Sequence, residues 1–593
     1  MITDSKKTFC RRYRWVYSQP DHDKVKSLMD LGGLLRPAAE ILTKKNIFTK
    51  EALDAFVNMP LSALLNPFEL AGMERAADRL ADAVENREKI CIYGDYDVDG
   101  ITSTSVLYLF LRKLDADVMY YIPNRLEEGY GLNIDAITEI ASKRVALIVT
   151  VDCGIGAAKE VEAACSYGMD VIVTDHHRPA DNIPYKALAI VNPMQDGDNY
   201  SFKSLAGVGV AFKLIMALRY VLRKRGFFKH DSPNIKELLD IVTLGTIADV
   251  VPIVGENRIF VNHGLNMMWG DNVRLGIEEL KNVSGMLSSD KIRTSHVGFL
   301  LAPRINAVGR MGSSDKSLRL LITNSRMEAK RLAGELDNEN KYRQTIEREI
   351  LQETFDIIDS LNLTEKRRGL VLYADNWHPG VIGIVASRVV DKYFRPTVIM
   401  TSDGDFYKGS ARSIPNFHLY NGLQSVSDTL ISFGGHKYAA GLKVSPDRLG
   451  EFVEKFDNAV KSELTDEDFI PEVFIDSYID SHEVTLDFAS WLTKLEPYGT
   501  GNKEPVFAMR GVSKHGYESY VGKDNAHLKC VFKKDGLFFD AIGYNMKDYK
   551  DILSDGDFFD IAFTLNVNKW RGEESLQLCL KDIIKSANGY EHT

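Results

Sequence analysis

The sequence predicts an α/β protein with a parallel-sheet domain, a long connecting helix, a second and smaller α/β domain, and a C-terminal β-barrel. Three observations carry this prediction. Between about 76 and 255, apolar strands alternate with helices, which is typical of a parallel sheet covered on both faces. Residues 326–361 keep a helical spacing of apolar residues without a proline. From about 468 to 588, five strand-like segments follow one another across short turns, which favours a small closed barrel such as an OB-fold.

The chain has 593 residues, which is too long for a single hydrophobic core. Residues 1–75 are expected to form a mostly helical N-terminal extension, in which Pro60 and Pro67 end short segments. Residues 11–17 mix arginine with tyrosine and tryptophan. Such a mixture occurs in segments that hold single-stranded nucleic acid and equally in surface strands, so both interpretations stay open.

Composition narrows the functional classes. The sequence is 45% hydrophobic and 26% charged, which is ordinary for a soluble globular protein, and no apolar run reaches membrane-spanning length. The basic N-terminus lacks the apolar stretch of a signal peptide, and the six cysteines contain no C-x-x-C pair. We therefore expect a cytoplasmic protein without a zinc ribbon. The net charge of −10 argues mildly against a nucleic-acid partner, unless the acids are concentrated in a metal cluster.

Strands and helices of the first domain are expected to alternate up to strand 169–174, after which one more strand and two helices follow. The predicted strands are 89–93, 117–122, 145–151, 169–174 and 187–191. The predicted helices are 102–114, 133–142, 157–167, 208–223 and 235–247. In the second α/β domain, strands are expected at 370–373 and 397–400 with a helix at 380–392 between them, and a glycine-rich stretch follows.

Three carboxylates, Asp95, Asp97 and Asp99, lie within five residues immediately after strand 89–93. Open α/β sheets place their ligands at this end of a strand. Carboxylates this close repel one another, and a divalent cation relieves the repulsion. A solvated acidic turn is the alternative. An EF-hand loop is excluded because its twelfth position is Val106 instead of glutamate and because a strand precedes the loop.

Further candidate ligands follow the next strands of the same sheet. Asp152 comes after strand 145–151, and Asp175, His176 and His177 come after strand 169–174. The carboxyl ends of parallel strands meet at one edge, so these side chains are expected to lie together. Asp249, after helix 235–247, adds a further acid. Mixed oxygen and imidazole ligands suit Mn²⁺ or Mg²⁺ better than zinc.

At the Asp-His-His tripeptide the chain resembles the DHH phosphoesterases and, within them, the RecJ group of single-stranded-DNA exonucleases. The matching motifs run in the family's order: GDYDVDG (94–100), EGYGL (128–132), TVD (150–152), DHH (175–177), GTIADV (245–250), PRINAVGR (303–310), WHPGVIGIVA (377–386), GGHKYAAG (434–441) and LEPYGTGN (495–502). The resemblance extends over nearly all of the chain from about 76 to 590. The resemblance implies five regions: an N-terminal extension (1–75), a DHH catalytic domain (76–285), a connector with motifs and a long helix (286–365), a DHHA1 domain (366–465) and an OB-like nucleic-acid-binding domain (466–593).

The resemblance also implies two metal ions, Mn²⁺ or Mg²⁺, in one active site. One ion would be held by Asp97 and Asp152. The other would be held by Asp99, Asp152, His176 and Asp249, so that Asp152 serves both. Two ions a few ångströms apart suit phosphodiester hydrolysis, because they activate a shared water and neutralise the phosphate.

Two further residues of the cluster take supporting roles by resemblance. Asp95 would stand behind the ligands, and His177 would face the scissile phosphate. One position departs from the pattern: several relatives have histidine where this chain has Tyr93, and tyrosine is a poor neutral ligand. The first metal site is therefore expected to be weaker.

Residues with phosphate-binding chemistry form a third set, assigned largely by the resemblance. The candidates are Arg125, Tyr130, Arg304, Asn306, Arg310, Ser410, Arg412 and His436. Arg125 and Tyr130 would hold the terminal nucleotide, and Ser410 and Arg412 lie on a glycine-rich loop where backbone can approach a phosphate. The alternative for each arginine is a structural salt bridge. The alternative for His436 is a capping or packing role.

The function implied by the resemblance is metal-dependent hydrolysis of single-stranded DNA from its 5′ end to mononucleotides, in DNA repair and recombination. One alternative is a DHH phosphodiesterase for short oligonucleotides or cyclic dinucleotides, and another is a non-catalytic single-strand-binding scaffold. The intact acids argue against the scaffold. Single-stranded DNA is the expected partner, a helicase and a single-strand-binding protein are candidate protein partners, and no membrane is expected.

Overall fold

The computed structural model describes residues 13–124, 128–129, 131–179, 182–270, 272–287, 291–311, 314–554, 556–570 and 573–586. The described chain divides into two compact units. One unit draws on Met1–Asn58, Ile350–Glu496 and Glu504–Thr593, and the other on Met59–Glu349 and Pro497–Lys503. Within these described ranges, no helix combines the length and the apolar character needed to span a membrane.

From residue 13, where the described part of the N-terminal segment begins, the chain forms one strand and three helices: β1 (Arg14–Tyr17), α1 (His22–Gly32), α2 (Arg36–Lys44) and α3 (Lys50–Asn58). Strand β1 pairs in parallel with Glu472–Ile475. The Trp15 indole donates a hydrogen bond to the buried Asp582, 2.7 Å away. Residues 14–17 of the arginine- and aromatic-rich stretch therefore form a strand, in line with one of the two sequence interpretations, and residues 11 and 12 lie outside the described residues.

The parallel-sheet domain follows with the predicted alternation. Its elements are α4 (Met73–Glu85), β2 (Ile90–Tyr93), α5 (Val98–Lys113), β3 (Val118–Tyr121), α6 (Ile134–Ser142), β4 (Leu147–Val151), α7 (Ala158–Ser166), β5 (Asp170–Thr174), β6 (Ala189–Val191), α8 (Gly207–Lys224), α9 (Leu239–Ala248), α10 (Gly255–Trp269) and α11 (Leu275–Val283). The strands are all parallel, in the order β3-β2-β4-β5-β6. The predicted parallel sheet is confirmed.

Each face of this sheet contributes to its own hydrophobic core. Ile90 and Ile92 of β2 lie in the core that contains residues of α4, α5 and α8, whereas Cys91 and Tyr93 lie in the core that contains residues of α6 and α7. Because successive strand residues point to opposite faces, both sets must be apolar. This double burial explains the continuous apolar runs in the sequence.

Helix α5 begins four residues earlier than the sequence predicts. Asp97 is its N-cap, and the Asp97 side chain accepts a hydrogen bond from the Gly100 backbone N–H at 3.0 Å. A side chain at position 100 would lie 2.4 Å from the Asp95 carbonyl oxygen, so only glycine fits there. Asp99 is thus fixed on the first turn of a helix and not in a loop.

The connector region contains α12 (Thr294–His296), α13 (Ala302–Met311), α14 (Asp315–Ile322), α15 (Arg326–Ser360) and α16 (Leu363–Lys366). Helix α15 has 35 residues, so it is about 52 Å long. The predicted long helix is confirmed, with Leu332 and Leu336 fully buried on its apolar face.

The second α/β domain has a mixed sheet. Its elements are β7 (Leu370–Ala374), α17 (Ile382–Tyr393), β8 (Thr397–Asp403), β9 (Phe406–Arg412), α18 (Leu419–Ser425), β10 (Ser432–Gly435), β11 (Ala439–Val444) and α19 (Leu449–Glu463). The strand order is β10-β11-β9-β8-β7. Only β7 and β8 are parallel, and α17 connects them.

The C-terminal domain is a closed barrel. Its elements are β12 (Glu472–Ile475), β13 (Ser477–Tyr478), α20 (Leu486–Leu492), β14 (Phe507–Val521), β15 (His527–Lys534), β16 (Leu537–Gly543), α21 (Lys550–Ser554), β17 (Phe559–Trp570) and β18 (Glu573–Lys585). Strands β14, β15, β16, β18 and β17 pair in that order, and β17 returns to β14. The predicted five-stranded barrel is confirmed.

Candidate metal centre and anion patch

One edge of the parallel sheet collects the predicted ligands. The register pairs Tyr93 with Thr150 and Val151 with Thr174, so β2, β4 and β5 end close to the same level. The residues that follow each strand therefore meet at this edge. The N-terminus of α8 and the C-terminus of α9, where Asp249 is the C-cap, complete the site.

Carboxylate and imidazole groups at this edge form three overlapping sets, in each of which the ligand atoms lie within 4.8 Å of one another. The sets are Asp95 with Asp97 and Asp152, Asp152 with His176 and His177, and Asp99 with His176 and Asp249. We call these seven residues the acid cluster. Asp152 and His176 each belong to two sets, so the structure brings together the seven acids and histidines that the resemblance assigns to the active site.

Asp99 is buried and held by the start of α8. Its carboxylate accepts hydrogen bonds from the backbone N–H groups of Gly207, at 2.6 Å, and Val208, at 2.8 Å. Burial, followed by the charge of Asp97, raises the pKa of Asp99 to about 7. The two N–H groups are oriented by the helix and fix the carboxylate in one position.

Asp152 sits in a strained backbone conformation next to the same helix end. Its φ of 60° is left-handed, which is uncommon for a residue with a side chain. A Cβ atom at position 207 would lie 2.6 Å from Asp152 Oδ1, so Gly207 is what allows the helix to approach. Burial and the neighbouring carboxylates, Asp99 first, raise the pKa of Asp152 well above its usual value.

His176 lies between three carboxylates. Its Nε2 is 3.1 Å from Asp152 Oδ1, 3.7 Å from Asp249 Oδ2 and 3.8 Å from Asp99 Oδ2. Burial, and then the charge of His177, lowers the pKa of His176 to about 4, so the imidazole is neutral with a free lone pair. Burial, and then Asp99, raises the pKa of Asp249 to about 9.

These groups fit a divalent cation. His176 Nε2 and Asp249 Oδ2 are buried and make no hydrogen bond within the described parts of the chain. Burying a polar atom without a hydrogen bond costs free energy, and a metal ion coordinated by both atoms would remove that cost. Oxygen donors with one or two imidazoles suit Mn²⁺ or Mg²⁺.

His177 is positioned by Asp175. Its Nδ1 lies 2.7 Å from Asp175 Oδ1, and the Asp175 carboxylate also accepts the backbone N–H groups of Ile155 and His176. Burial opposes protonation of His177, but the Asp175 hydrogen bond outweighs it and raises the pKa of His177 to about 9. The sequence placed Asp175 among the candidate ligands at this strand end, and the structure instead has its carboxylate hydrogen-bonded to His177.

Tyr93 points away from the acid cluster. Its hydroxyl donates to the Gly131 carbonyl at 3.1 Å, and its ring stacks on Tyr121 with centroids 5.2 Å apart. The side chain is fully buried in the core with α6 and α7. Tyr93 therefore has a packing role.

Asp95 belongs to the acid cluster itself, where it is a third carboxylate beside Asp97 and Asp152.

Helix α13, which carries the PRINAVGR motif, packs against the acidic loop. A Cβ at Gly309 would lie 2.7 Å from the Tyr96 carbonyl oxygen, and the Ser314 hydroxyl donates to that same oxygen at 3.0 Å. Asn306 lies one turn before Gly309 on this helix and is half-buried. The motif is thus placed next to the cluster by close backbone contact.

Arg304 on the same helix has an acidic partner. Its Nε and Nη2 each lie 2.9 Å from Asp337 Oδ1 on α15, and its Nη1 donates to the Leu300 carbonyl. The structural salt bridge that was the alternative for this arginine is present. The Arg310 side chain, Arg125 and Tyr130 lie outside the described residues.

Ser410, Arg412 and the first turn of α17 form a second site, which we call the anion patch. Arg412 Nη1 lies 3.2 Å from Ser410 Oγ and donates to the Ala411 carbonyl, and within the described residues it has no carboxylate partner. A Cβ at Gly383 would lie 2.9 Å from Ser410 Oγ and 3.2 Å from Arg412 Nη2. Burial lowers the pKa of Arg412. A guanidinium, a hydroxyl and a helix N-terminus together suit an anion.

On the β11 side, this patch has small neighbours. The register sets Ser410 opposite Gly441 and Arg412 opposite Ala439, so the two β11 residues beside the patch are a glycine and an alanine. His436 is exposed at the end of the β10–β11 hairpin, where its backbone N–H donates to the Ala439 carbonyl at 2.8 Å. Three of the predicted substrate-binding residues therefore belong to one sheet.

The fold and the acid cluster define a protein of the DHH class, and comparison with family models agrees. The DHH family N-terminal domain matches residues 89–246, the DHHA1 domain matches 366–462, and the RecJ OB domain matches 475–582. The chain belongs to the RecJ family.

Individual relatives support this assignment over most of the chain. The single-stranded-DNA-specific exonuclease RecJ of Bacillus subtilis is 37% identical over 577 residues, covering 97% of this chain and 71% of the relative. RecJ of Haemophilus influenzae is 38% identical over 538 residues, covering 88% and 92%. The crystal structure of Thermus thermophilus RecJ in complex with Mn²⁺ superposes with a TM-score of 0.81 at 30% identity, covering 97% of this chain and 80% of that one.

Proposed function

We propose that this chain is a metal-dependent exonuclease that hydrolyses single-stranded DNA from the 5′ end to nucleoside 5′-monophosphates, in DNA repair and recombination. The observation that carries the proposal is the acid cluster, in which Asp152 is shared between two sets of candidate ligands. The names of the relatives support the substrate, and the 5′ polarity follows from the family resemblance. The match to a RecJ OB domain favours this function over a phosphodiesterase for short oligonucleotides.

The acid cluster would hold two divalent cations, Mn²⁺ or Mg²⁺. Asp97 and Asp152, with Asp95 beside them, would hold one, and Asp99, Asp152, His176 and Asp249 would hold the other. Such ions, when bound, lower the pKa of a shared water and neutralise charge on the phosphate. The amides of α8 keep Asp99 in place, and Gly207 keeps room for Asp152.

His177 would act on the phosphate side of the site. The Asp175 carboxylate fixes its ring through Nδ1 and raises the pKa of His177, which favours the form that can donate a hydrogen bond to a non-bridging phosphate oxygen. Asp175 acts through His177 and is a positioning residue.

Phosphates beyond the scissile one would be held by the remaining candidates. Ser410, Arg412 and His436 suit this role best because Arg412 has no acidic partner in the described chain. Asn306 and Arg310 would contact the phosphate from α13, and Arg304 would contribute through its bridge to Asp337. Arg125 and Tyr130 would hold the terminal nucleotide.

The domain boundaries given above, at 75, 285, 365 and 465, are part of this proposal. The barrel would bind the DNA strand beyond the active site.

Cytoplasmic action is supported by the five described cysteines, all free thiols. A helicase and a single-strand-binding protein are proposed as functional partners, since each supplies or presents single strands.

End-labelled DNA tests the proposal. With Mn²⁺, a single strand labelled at its 5′ end should release labelled mononucleotide at once, whereas a 3′-labelled strand should shorten and release its label last. EDTA should stop both reactions, and a blunt duplex of the same sequence should be resistant. Release of the 3′ label first, or no hydrolysis of any strand with either metal, would contradict the proposal.

A further inference from the structure

A pocket on the parallel-sheet domain lies outside the acid cluster. Its volume is about 350 Å³, and it is bounded by the turn at Phe68, one face of α8 and Ile235. The α8 residues that line it include Met216, Arg219 and Arg223. This volume is in the range that accommodates a small ligand.

Two arginines in this pocket lack the partners that arginines normally have. Arg219 and Arg223 are one turn apart on α8, so their charges repel. Among the described residues, neither forms an ion pair or a side-chain hydrogen bond, and Arg219 Nε is buried and unsatisfied. Burial, and then the charge of Arg223, lowers the pKa of Arg219. An anion in the pocket would remove both penalties.

Apart from Asn66, the rest of the lining is apolar and aromatic. The rings of Phe68 and Tyr220 pack edge to face with centroids 5.3 Å apart, and Tyr220 is 48% exposed. The Arg223 guanidinium lies 6.0 Å from the Tyr220 ring centre. A flat, partly exposed ring beside two cations suits a ligand with an aromatic plane and a negative group.

The pocket is separate from the catalytic end of the same helix. Gly207 at the start of α8 donates to Asp99 of the acid cluster, and Arg219 follows twelve residues later, about 18 Å along the helix axis. The residues that line the pocket belong to helices and turns, not to strands, so they offer no strand edge to an extended peptide. A compact ligand therefore fits better than a peptide.

We propose that this pocket binds a nucleotide, with the phosphate on Arg219 and Arg223 and the base against Tyr220 and Phe68. The nucleotide is either a free nucleoside monophosphate or one unit of a bound strand, since both present the same chemistry. Binding here needs no metal, so the proposal stands independently of the hydrolytic activity.

The test is calorimetric titration of the full chain in EDTA, which prevents hydrolysis, with dAMP, inorganic phosphate and a single-stranded oligonucleotide. Arg219→Ala and Arg223→Ala should each weaken dAMP binding about tenfold or more, because each removes a charged hydrogen bond. Lys224→Ala is the matched control: it removes a neighbouring exposed charge of α8 outside the pocket and should leave binding unchanged.

Two further variants test the contact to the base and the contact to the phosphate separately. Tyr220→Ala should weaken dAMP and leave phosphate affinity as it was, and Arg219→Lys, which keeps the charge, should retain part of the binding. Thermal unfolding identifies any variant that fails to fold, and Arg219→Lys then replaces Arg219→Ala. Tighter dAMP binding than oligonucleotide binding assigns the pocket to free nucleotide, and the reverse assigns it to the strand.

Three results would overturn the proposal. The first is no dAMP or oligonucleotide binding in EDTA, or binding that Arg219→Ala and Arg223→Ala leave intact. The second is phosphate binding as tight as dAMP binding, because the base would then contribute nothing. The third is displacement of dAMP by an acidic, phenylalanine-containing peptide that itself binds more tightly.

Discussion

The acid cluster is rich in carboxylates and suits a cation, whereas the anion patch carries an arginine and suits an anion. In the cluster, seven acids and histidines share one buried edge of a sheet, and the pKa values of Asp152 and Asp249 are raised. In the patch, the half-buried Arg412 lacks a carboxylate among the described residues, and burial lowers its pKa. A bound cation would stabilise the cluster, and a bound phosphate would stabilise the patch, because each ligand has the opposite charge to the side chains around it.

The way each region is held also differs. Asp99 and Asp152 are fixed by the backbone of α8 and by a glycine that permits close approach. In the anion patch, Ser410 and Arg412 instead lie beside Gly441 and Ala439 of β11 and close to the first turn of α17. The cluster is therefore expected to tolerate almost no displacement, whereas the patch should tolerate some, because phosphate contacts act additively over a longer strand.

The largest effect is expected for Asp152→Ala. One carboxylate serves both candidate metal sites, so its loss should reduce hydrolysis by roughly a thousandfold or more. Binding of single strands should survive, since the phosphate contacts lie elsewhere. Asp196→Ala, an exposed acid of the same domain, is the control. Clear residual activity of Asp152→Ala in saturating Mn²⁺ would refute the shared role.

Gly207→Ala should come next. The new Cβ would lie 2.6 Å from Asp152 Oδ1 and force that carboxylate to move, which should weaken Mn²⁺ affinity by about 10- to 100-fold. Gly209→Ala is matched to it on the same helix, where the added atom meets only the flexible Leu205 side chain at 3.2 Å. The half-saturating Mn²⁺ concentration of each variant checks this, and equal values for both would show that Gly207 does not protect the cluster.

Arg412→Ala should have a smaller and different effect. Loss of a phosphate contact should raise KM about tenfold and leave kcat and the Mn²⁺ requirement largely unchanged. Arg388→Ala, on the exposed side of α17, controls for the loss of charge. Steady-state kinetics at two salt concentrations would show the rise in KM of Arg412→Ala, because phosphate contacts are salt-dependent. A fall in kcat alone would place Arg412 in the chemical step and contradict a role of the anion patch in substrate binding.

The smallest effect is expected in the barrel. Tyr517 is 98% exposed and Phe538 is 55% exposed, so each is available to stack on a base. Their alanine variants should weaken binding of long strands several-fold, at about 1 kcal/mol per lost stack, and leave cleavage of very short strands unchanged. Tyr185→Ala, at an 81% exposed tyrosine of the parallel-sheet domain, is the control. Equal losses on short and long strands would contradict a binding role for the barrel.

Sequence patterns were sufficient for the sheet, the long helix, the barrel and the membership of the acid cluster. The reason is geometric: parallel strands must align their ends, so acids that follow successive strands converge. The start of α5 was misplaced because a capping carboxylate, Asp97, extends the helix into the acidic loop. Side-chain alternation in β2 sends Tyr93 to the opposite core from Ile92, where its hydroxyl donates to the Gly131 carbonyl.

Long-range partners explain what the sequence did not reveal. Arg304 and Asp337 are 33 residues apart on different helices, and nothing local indicates that they pair. The Asp175–His177 hydrogen bond and the contact of Gly207 with Asp152 likewise depend on loop geometry. The buried Arg219 Nε, which has no hydrogen-bond partner among the described residues, also emerges only from packing.

Counting bound Mn²⁺ tests the central claim most directly. Equilibrium dialysis, with electron paramagnetic resonance of the bound ions, should find two Mn²⁺ per chain that are magnetically coupled, because Asp152 lies between both sets of ligands. Asp152→Ala should lose the coupling and at least one ion, and Asp196→Ala should lose neither. A wild-type chain that binds a single ion, or two uncoupled ions that Asp152→Ala retains, would contradict the account.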